Sequence, residues 1–189
     1  MRFREAFERD FGHECGLLEN PQAVAEVILG KSPMAVLLLT LHLELLTQQH
    51  YTEGYREGDE LDTFFASLLK HHWMEEAQHA KLDVLELVKL RNDATPEQVQ
   101  QTVDDYFAIA GAFAGLLAQQ GKLDVVSLER AVGRAFSDDE RAKIEQAQTR
   151  SYQRAFLWCG VTNTAFLEFL AEHFPAALPG AAKAAEAFA

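Results

Sequence analysis

The sequence predicts an all-α protein, a bundle of four main antiparallel helices with short N-terminal and connecting helices. Three observations predict it. No segment of any length alternates apolar and polar residues with a period of two, so no strand is expected. The five prolines punctuate the chain instead of filling it. Between them lie long Leu-rich stretches whose apolar residues recur every three to four positions. At 189 residues the chain fits one domain, expected over 1–175 with an Ala-rich C-terminal tail over 176–189.

The elements follow in order. Asn20-Pro21 starts a short helix to about Leu29, and Gly30 ends it. Ser32-Pro33 starts the next, which runs through the apolar stretch Met34 to Leu46 and on to about Tyr55. Gly54 and Gly58 bracket a turn. A third helix, free of Gly and Pro, covers about Asp59 to Leu90. Thr95-Pro96-Glu97 opens a fourth, expected to end at Gly121 and to be followed by a shorter piece from Val125 to Ala135. Ser137, with Asp138, Asp139 and Glu140 behind it, caps a last long helix reaching toward Phe174, which Gly160 is placed to bend. Short connections make sequential helices antiparallel neighbours.

Charge and composition remove several function classes. With 29 acidic and 17 basic residues, the formal net charge is −12. A chain this acidic is a poor ligand for nucleic acid or an anionic membrane. The longest apolar run is shorter than the roughly 20 residues a membrane span needs. The N-terminus mixes Glu and Asp among its Phe residues and does not read as a secretory signal. Two distant cysteines, Cys15 and Cys159, build neither a disulfide framework nor a thiolate zinc site, and a cytoplasmic location is expected. No Gly-x-Ser-x-Gly elbow and no Gly-rich phosphate fingerprint occurs.

The segment from Leu61 to Leu90 carries the chemistry. On a helical projection Leu61, Phe65, Leu69, His72, Glu76, His79, Ala80, Asp83, Leu87 and Leu90 share one face. The ends of that stripe are apolar and its middle is His, Glu, His, Asp. Ionisable groups on a core face need partners or a metal. Glu76 and His79, three residues apart, point the same way and offer one ion a carboxylate and an imidazole. His72 adds a third group. Asp83, four residues after His79, is placed to hold its second ring nitrogen. A metal-free hydrogen-bonded network is the competing reading.

HHWMEEAQHAKLD resembles the Glu-x-x-His helix of the ferritin-like di-iron carboxylate superfamily. The resemblance implies a ferritin-like bundle and a lone Glu on the preceding helix. Glu44 stands there, among the leucines of AVLLLTLHLELLTQQHY, within about a turn of the depth of Glu76 in an antiparallel hairpin. His42 falls on the opposite face and is the weaker candidate. The metal set is therefore Glu44, Glu76 and His79, with His72 as an added ligand, for iron or else manganese. The resemblance implies an O2-activating oxidase, oxygenase or peroxidase. The apolar stripe around the site is expected to make a dry pocket for a small or apolar substrate. Tyr51 and Tyr152 are close enough in the chain's layout to carry electrons or protons, although tyrosines in bundles more often pack.

The superfamily's second Glu and second Glu-x-x-His are not evident after residue 90. Val99, Val103, Phe107, Ala110, Ala114 and Leu117 form the inner stripe of the fourth helix, which leaves Asp104 and Asp105 solvated and Tyr106 at the margin. Glu172 and His173 are adjacent and diverge. Three explanations stay open: a homodimer supplies the second half-site, one chain holds one ion with help from His72, or the site is a remnant in a metal-free structural or interaction module.

Overall fold

The computed structural model describes residue 18, residues 20–55 and residues 62–189. The expectations for the N-terminal segment, Cys15, Gly58 and Leu61 lie outside the described residues. Among the described residues every regular element is helical. Helix α1 covers Pro21–Leu29, α2 Pro33–His50, α3 Thr63–Asp93, α4 Pro96–Val132 and α5 Asp138–Gln153. A π-helical turn, Arg154–Trp158, and a short α turn, Cys159–Val161, lead into α6 at Thr164–His173 and α7 at Leu178–Ala187.

The starts of α1, α2, α4 and α5 are those the sequence announces, whereas α3 begins at Thr63, capped by the Asp62 side chain, and not at the expected Asp59. Ser32 caps α2 by accepting from the Ala35 amide, with Pro33 in the first turn. Thr95 and Ser137 each form a reciprocal capping box, with Gln98 and Glu140 respectively. The ends are less faithful. Gly121 does not stop α4, which continues through the expected separate piece to Val132 and ends at Gly133 with φ +69°. Gly121 instead lets two helices approach: a Cβ there would lie 2.7 Å from Thr149 Oγ1 on α5. The last helix is interrupted at Asn163, whose side chain caps α6 by accepting from the Phe166 amide.

Two helix pairs organise the fold. α3 packs along α2, α5 packs along α4, and α2 also lies on α4. The short α3–α4 connection does not make those two helices neighbours along their length; among the described helices α3 packs along α2 alone. The main core joins Ala35, Leu38 and Leu41 of α2, Leu87 of α3, Tyr106 and Ile109 of α4, and Phe166 and Leu170 of α6. Phe174, Ala177 and Ala181 enter the same core, so the Ala-rich C-terminal segment is packed rather than trailing.

The inner face of α4 differs from the predicted one. Tyr106 is fully buried, and Asp105 is buried rather than solvated. Asp105 accepts from the Ser32 amide at 2.9 Å and pairs with Lys31 at 3.2 Å, so it tethers α4 to the start of α2. The Ser32 amide and the Lys31 ammonium hold its carboxyl below the usual range.

Candidate metal centre

Glu44 sits in the middle of α2, and Glu76 and His79 in the middle of α3. Because α2 and α3 pack along each other, the three side chains meet between them. One ligand atom from each lies within 4.8 Å of the others. His79 Nδ1 is 2.9 Å from Glu76 Oε2 and 3.8 Å from Glu44 Oε1. His72 reaches the other oxygen of Glu76, Nε2 to Oε1 at 2.6 Å. The four predicted side chains thus lie together, with Glu76 at the centre, but His72 touches the cluster through Glu76 and is not one of the three converging donors.

Burial differs across the cluster. The Glu44 and Glu76 side chains are 14% and 17% exposed, whereas that of His79 is 48% exposed. The inner wall is carboxylate and the outer wall imidazole. Burial pushes the Glu44 carboxyl up to about 8, and the hydrogen bond and negative charge of Glu76 reinforce the shift. Glu76 moves the other way, because Glu44 hydrogen bonds to its ionised form and His79 and His72 add to the effect. The two carboxyls resist being ionised together, and the opposite shifts favour the proton on the more buried Glu44.

Asp83 lies one turn beyond His79. Its Oδ2 is buried with no hydrogen-bond partner, and burial raises its carboxyl, opposed by the charge of His79. The expected bond from Asp83 to the His79 ring is not formed. Trp73 stacks on Tyr51 with ring centroids 5.0 Å apart, and its carbonyl accepts from Gln48 Nε2 at 2.9 Å. Its indole nitrogen is buried and also without a partner. The signal for this contact was available: Trp73 is one turn before Glu76 on α3, and Tyr51 is two turns after Glu44, at the start of the π-helical turn Tyr51–Tyr55 that continues α2.

Other expectations fail here. Tyr152 donates to Asp124 at 2.6 Å, between α5 and α4, and belongs to a different part of the molecule. The surroundings are not a dry pocket, since the imidazole side is half open. An apolar cavity of about 450 Å³ lies elsewhere, between α1, α2 and α4, where Leu39, Leu43, Ile109 and Phe113 line it and no site residue does.

His42, two residues before Glu44, is on the opposite face of α2, as the projection placed it. It is fully buried. Its Nε2–H donates to the Phe156 carbonyl at 2.9 Å, so Nδ1 accepts, at 2.7 Å, from the Tyr106 hydroxyl. Burial lowers its pKa to about 4, and the ring is neutral. Gly160 makes room for it: a Cβ at that position would overlap the imidazole.

The donor chemistry of the centre suits a first-row divalent ion. Two carboxylates and an imidazole on adjacent rigid helices match iron, manganese or zinc, and softer thiolate-loving ions find no sulfur among the three donors. The unpartnered Asp83 oxygen beside them gives the cluster unused acceptor capacity. No family model, curated protein or solved structure matches this chain.

Proposed function

We propose that this chain is a ferritin-like non-haem metal protein of the O2-activating oxidase or oxygenase type, with iron as the preferred ion and manganese as the substitute. The observation that carries the reading is the convergence of Glu44, Glu76 and His79 to within 4.8 Å from two packed helices. Bound iron would supply a redox couple and open coordination positions for O2 and substrate.

The chain's own groups do the rest. Glu76 and His79 are fixed on one helix turn, so their spacing is set by α3 and not by loop geometry. Glu44 gives up its proton when a cation displaces it, so loading releases a proton at neutral pH. His72 holds the second oxygen of Glu76 and orients that carboxylate. The half-open imidazole side is where substrate approaches; this chain alone does not enclose an apolar substrate there.

A second reading has one observation in its favour. Glu76 already bonds His72 and His79 and shares a proton with Glu44. Such a network is a self-sufficient polar element in a metal-free structural or interaction module. The deciding experiment is metal content of chelator-free protein, followed by anaerobic Fe(II) addition and measurement of O2 uptake. One or two tightly held ions per chain or per pair of chains, with O2 uptake lost in His79→Ala, supports the enzyme. A chain that stays metal-free after Fe(II) addition overturns it and leaves the network reading.

A further inference from the structure

The cavity between α1, α2 and α4 takes no part in the metal reading. Leu39 and Leu43, its wall on α2, stand about 140° and about 100° around that helix from Glu44. It is a second hollow, on another side of α2, and it owes its existence to α1. Val24, Val27 and Ile28 recur at three and four residues, the apolar stripe of a helix suited to lie on a neighbour. Yet α1 packs along no other described helix. It touches the main core through Ile28 and leaves Val27 45% exposed. Beneath the stripe about 450 Å³ stays open.

A gap of that size is out of scale with protein packing. Interiors hold few voids larger than a water molecule, whereas small-molecule sites begin at about 300 Å³. Water fills this one poorly, because an ordered water needs about two to four polar partners and the walls are mostly hydrocarbon.

The lining also limits the charge and shape of what fits. Among the described residues that line it there is no Asp, Glu, Lys, Arg or His, and the chain carries a net charge of −12. An ionised head buried there would have no counter-charge. The polar side chains of the lining are Asn20 and Gln119, both on exposed residues, so they mark the mouth. On α4, Ile109, Phe113 and Leu116 follow at steps of four and three, and the wall from Ile109 to Gln119 runs about 15 Å. The matching occupant is long and apolar, with one uncharged hydrogen-bonding end.

We propose that this cavity is a binding site for a neutral lipid-like molecule, a single hydrocarbon chain that ends in a hydroxyl or an amide, held with its chain along α4 and its polar end at Gln119. Such a ligand fills the gap under α1 and joins that helix to α2 and α4. Its binding is independent of the metal centre.

The test uses the full chain without metal. Nile red, an uncharged apolar dye, is titrated by fluorescence and then displaced with decanol or decanoate at pH 8. One saturable dye site per chain is expected, emptied by decanol and at least about ten-fold less well by decanoate, whose ionised head finds no partner. Ala112→Trp fills the cavity from an exposed position on α4 and should weaken dye binding at least about ten-fold while helicity is kept. Decanol should raise the melting temperature of wild type and not of Ala112→Trp, as a ligand of the folded state does. Glu76→Ala, at the metal centre, should bind the dye as wild type does. Absence of a saturable site, equal displacement by decanoate, or unchanged dye binding by Ala112→Trp overturns the proposal. A dimer by light scattering that excludes the dye also overturns it, since a second copy then covers the cavity.

Discussion

Two polar clusters hang on the same stretch of α2, two residues apart and on opposite faces. The His42 side is closed: the ring is fully buried, both nitrogens are bonded, and the imidazole is neutral. The Glu44 side is unfinished. Its two carboxylates crowd together over one proton, its imidazole stands half in solvent, and the neighbouring Asp83 keeps a buried oxygen without a partner. Both are polar groups in an apolar helix, and burial alone does not separate them. Saturation does. A network whose donors and acceptors are all used specifies packing, whereas one with surplus acceptors and negative charge has capacity for a cation.

That contrast breaks most sharply at Gly160. Gly160→Ala drives a methyl into the His42 ring, and the variant is expected to lose about 3 kcal/mol or to fail to fold, since overpacking of a rigid core is not relieved locally. Denaturant midpoints measure it. A loss under about 1 kcal/mol would mean that the ring has room to move and that the network is not the rigid element described here.

The two clusters should respond to pH with opposite sign. His42 has a folded value near 4 against an ordinary 6.5, so the unfolded chain binds its proton first as pH falls. Its contribution is fully present above pH 6.5 and lost as pH falls through 4, at most about 3 kcal/mol from the size of the shift. Glu44 has a folded value raised to about 8, so the metal-free protein holds a proton that the unfolded chain has released. That contribution is full below about pH 4.5 and lost as pH rises through 8. Stability curves of wild type and of Glu44→Gln without metal, from pH 5 to 9, should diverge, with the variant insensitive to alkali. Parallel curves would show that no proton is shared at the centre.

Removing a ligand should have the opposite signature to Gly160→Ala. Glu76→Ala or His79→Ala is expected to weaken Mn(II) binding at least about 100-fold while changing metal-free stability by about 1 kcal/mol or less, because these side chains are only partly buried. Calorimetric titration and thermal melts separate the two effects. If His79→Ala unfolds the chain without loss of ion binding, the cluster is structural. The smallest effect is expected at Asp83. Asp83→Asn keeps the shape, removes a charge near the site, and should cost about ten-fold in Mn(II) affinity. An unchanged affinity would leave the orphaned oxygen without a role at the centre.

Much of this was legible in the linear sequence because it depends on short-range geometry. Ser32, Thr95 and Ser137 announce helix starts through side chains that reach only their own next turn. Glu76 and His79 share a face by helical period alone. Glu44 came from the resemblance, which asks for a lone Glu on the preceding helix, and the rise per residue of two antiparallel helices put it at the depth of Glu76. The inner face of α4 was not legible. Asp105 looks like a solvated acid until the start of α2 is placed beside it, and Tyr106 looks marginal until His42 is there to accept its hydroxyl. Gly121 and Gly160 read as a stop and a bend; they are places where another element comes too close for a Cβ.

The sequence by itself therefore determined the helical class, the capped starts of α2, α4 and α5 and the closeness of Glu44, Glu76 and His79, because each rests on contacts within a few turns of one helix or across one pair of adjacent helices. Only the tertiary structure decided that His42 is a closed structural element while Glu44 is not, and that α3 leaves Leu68, Leu82 and Leu85 exposed. Those outcomes depend on which distant segments satisfy each polar atom and cover each face. A residue's own neighbours along the chain carry no information about that.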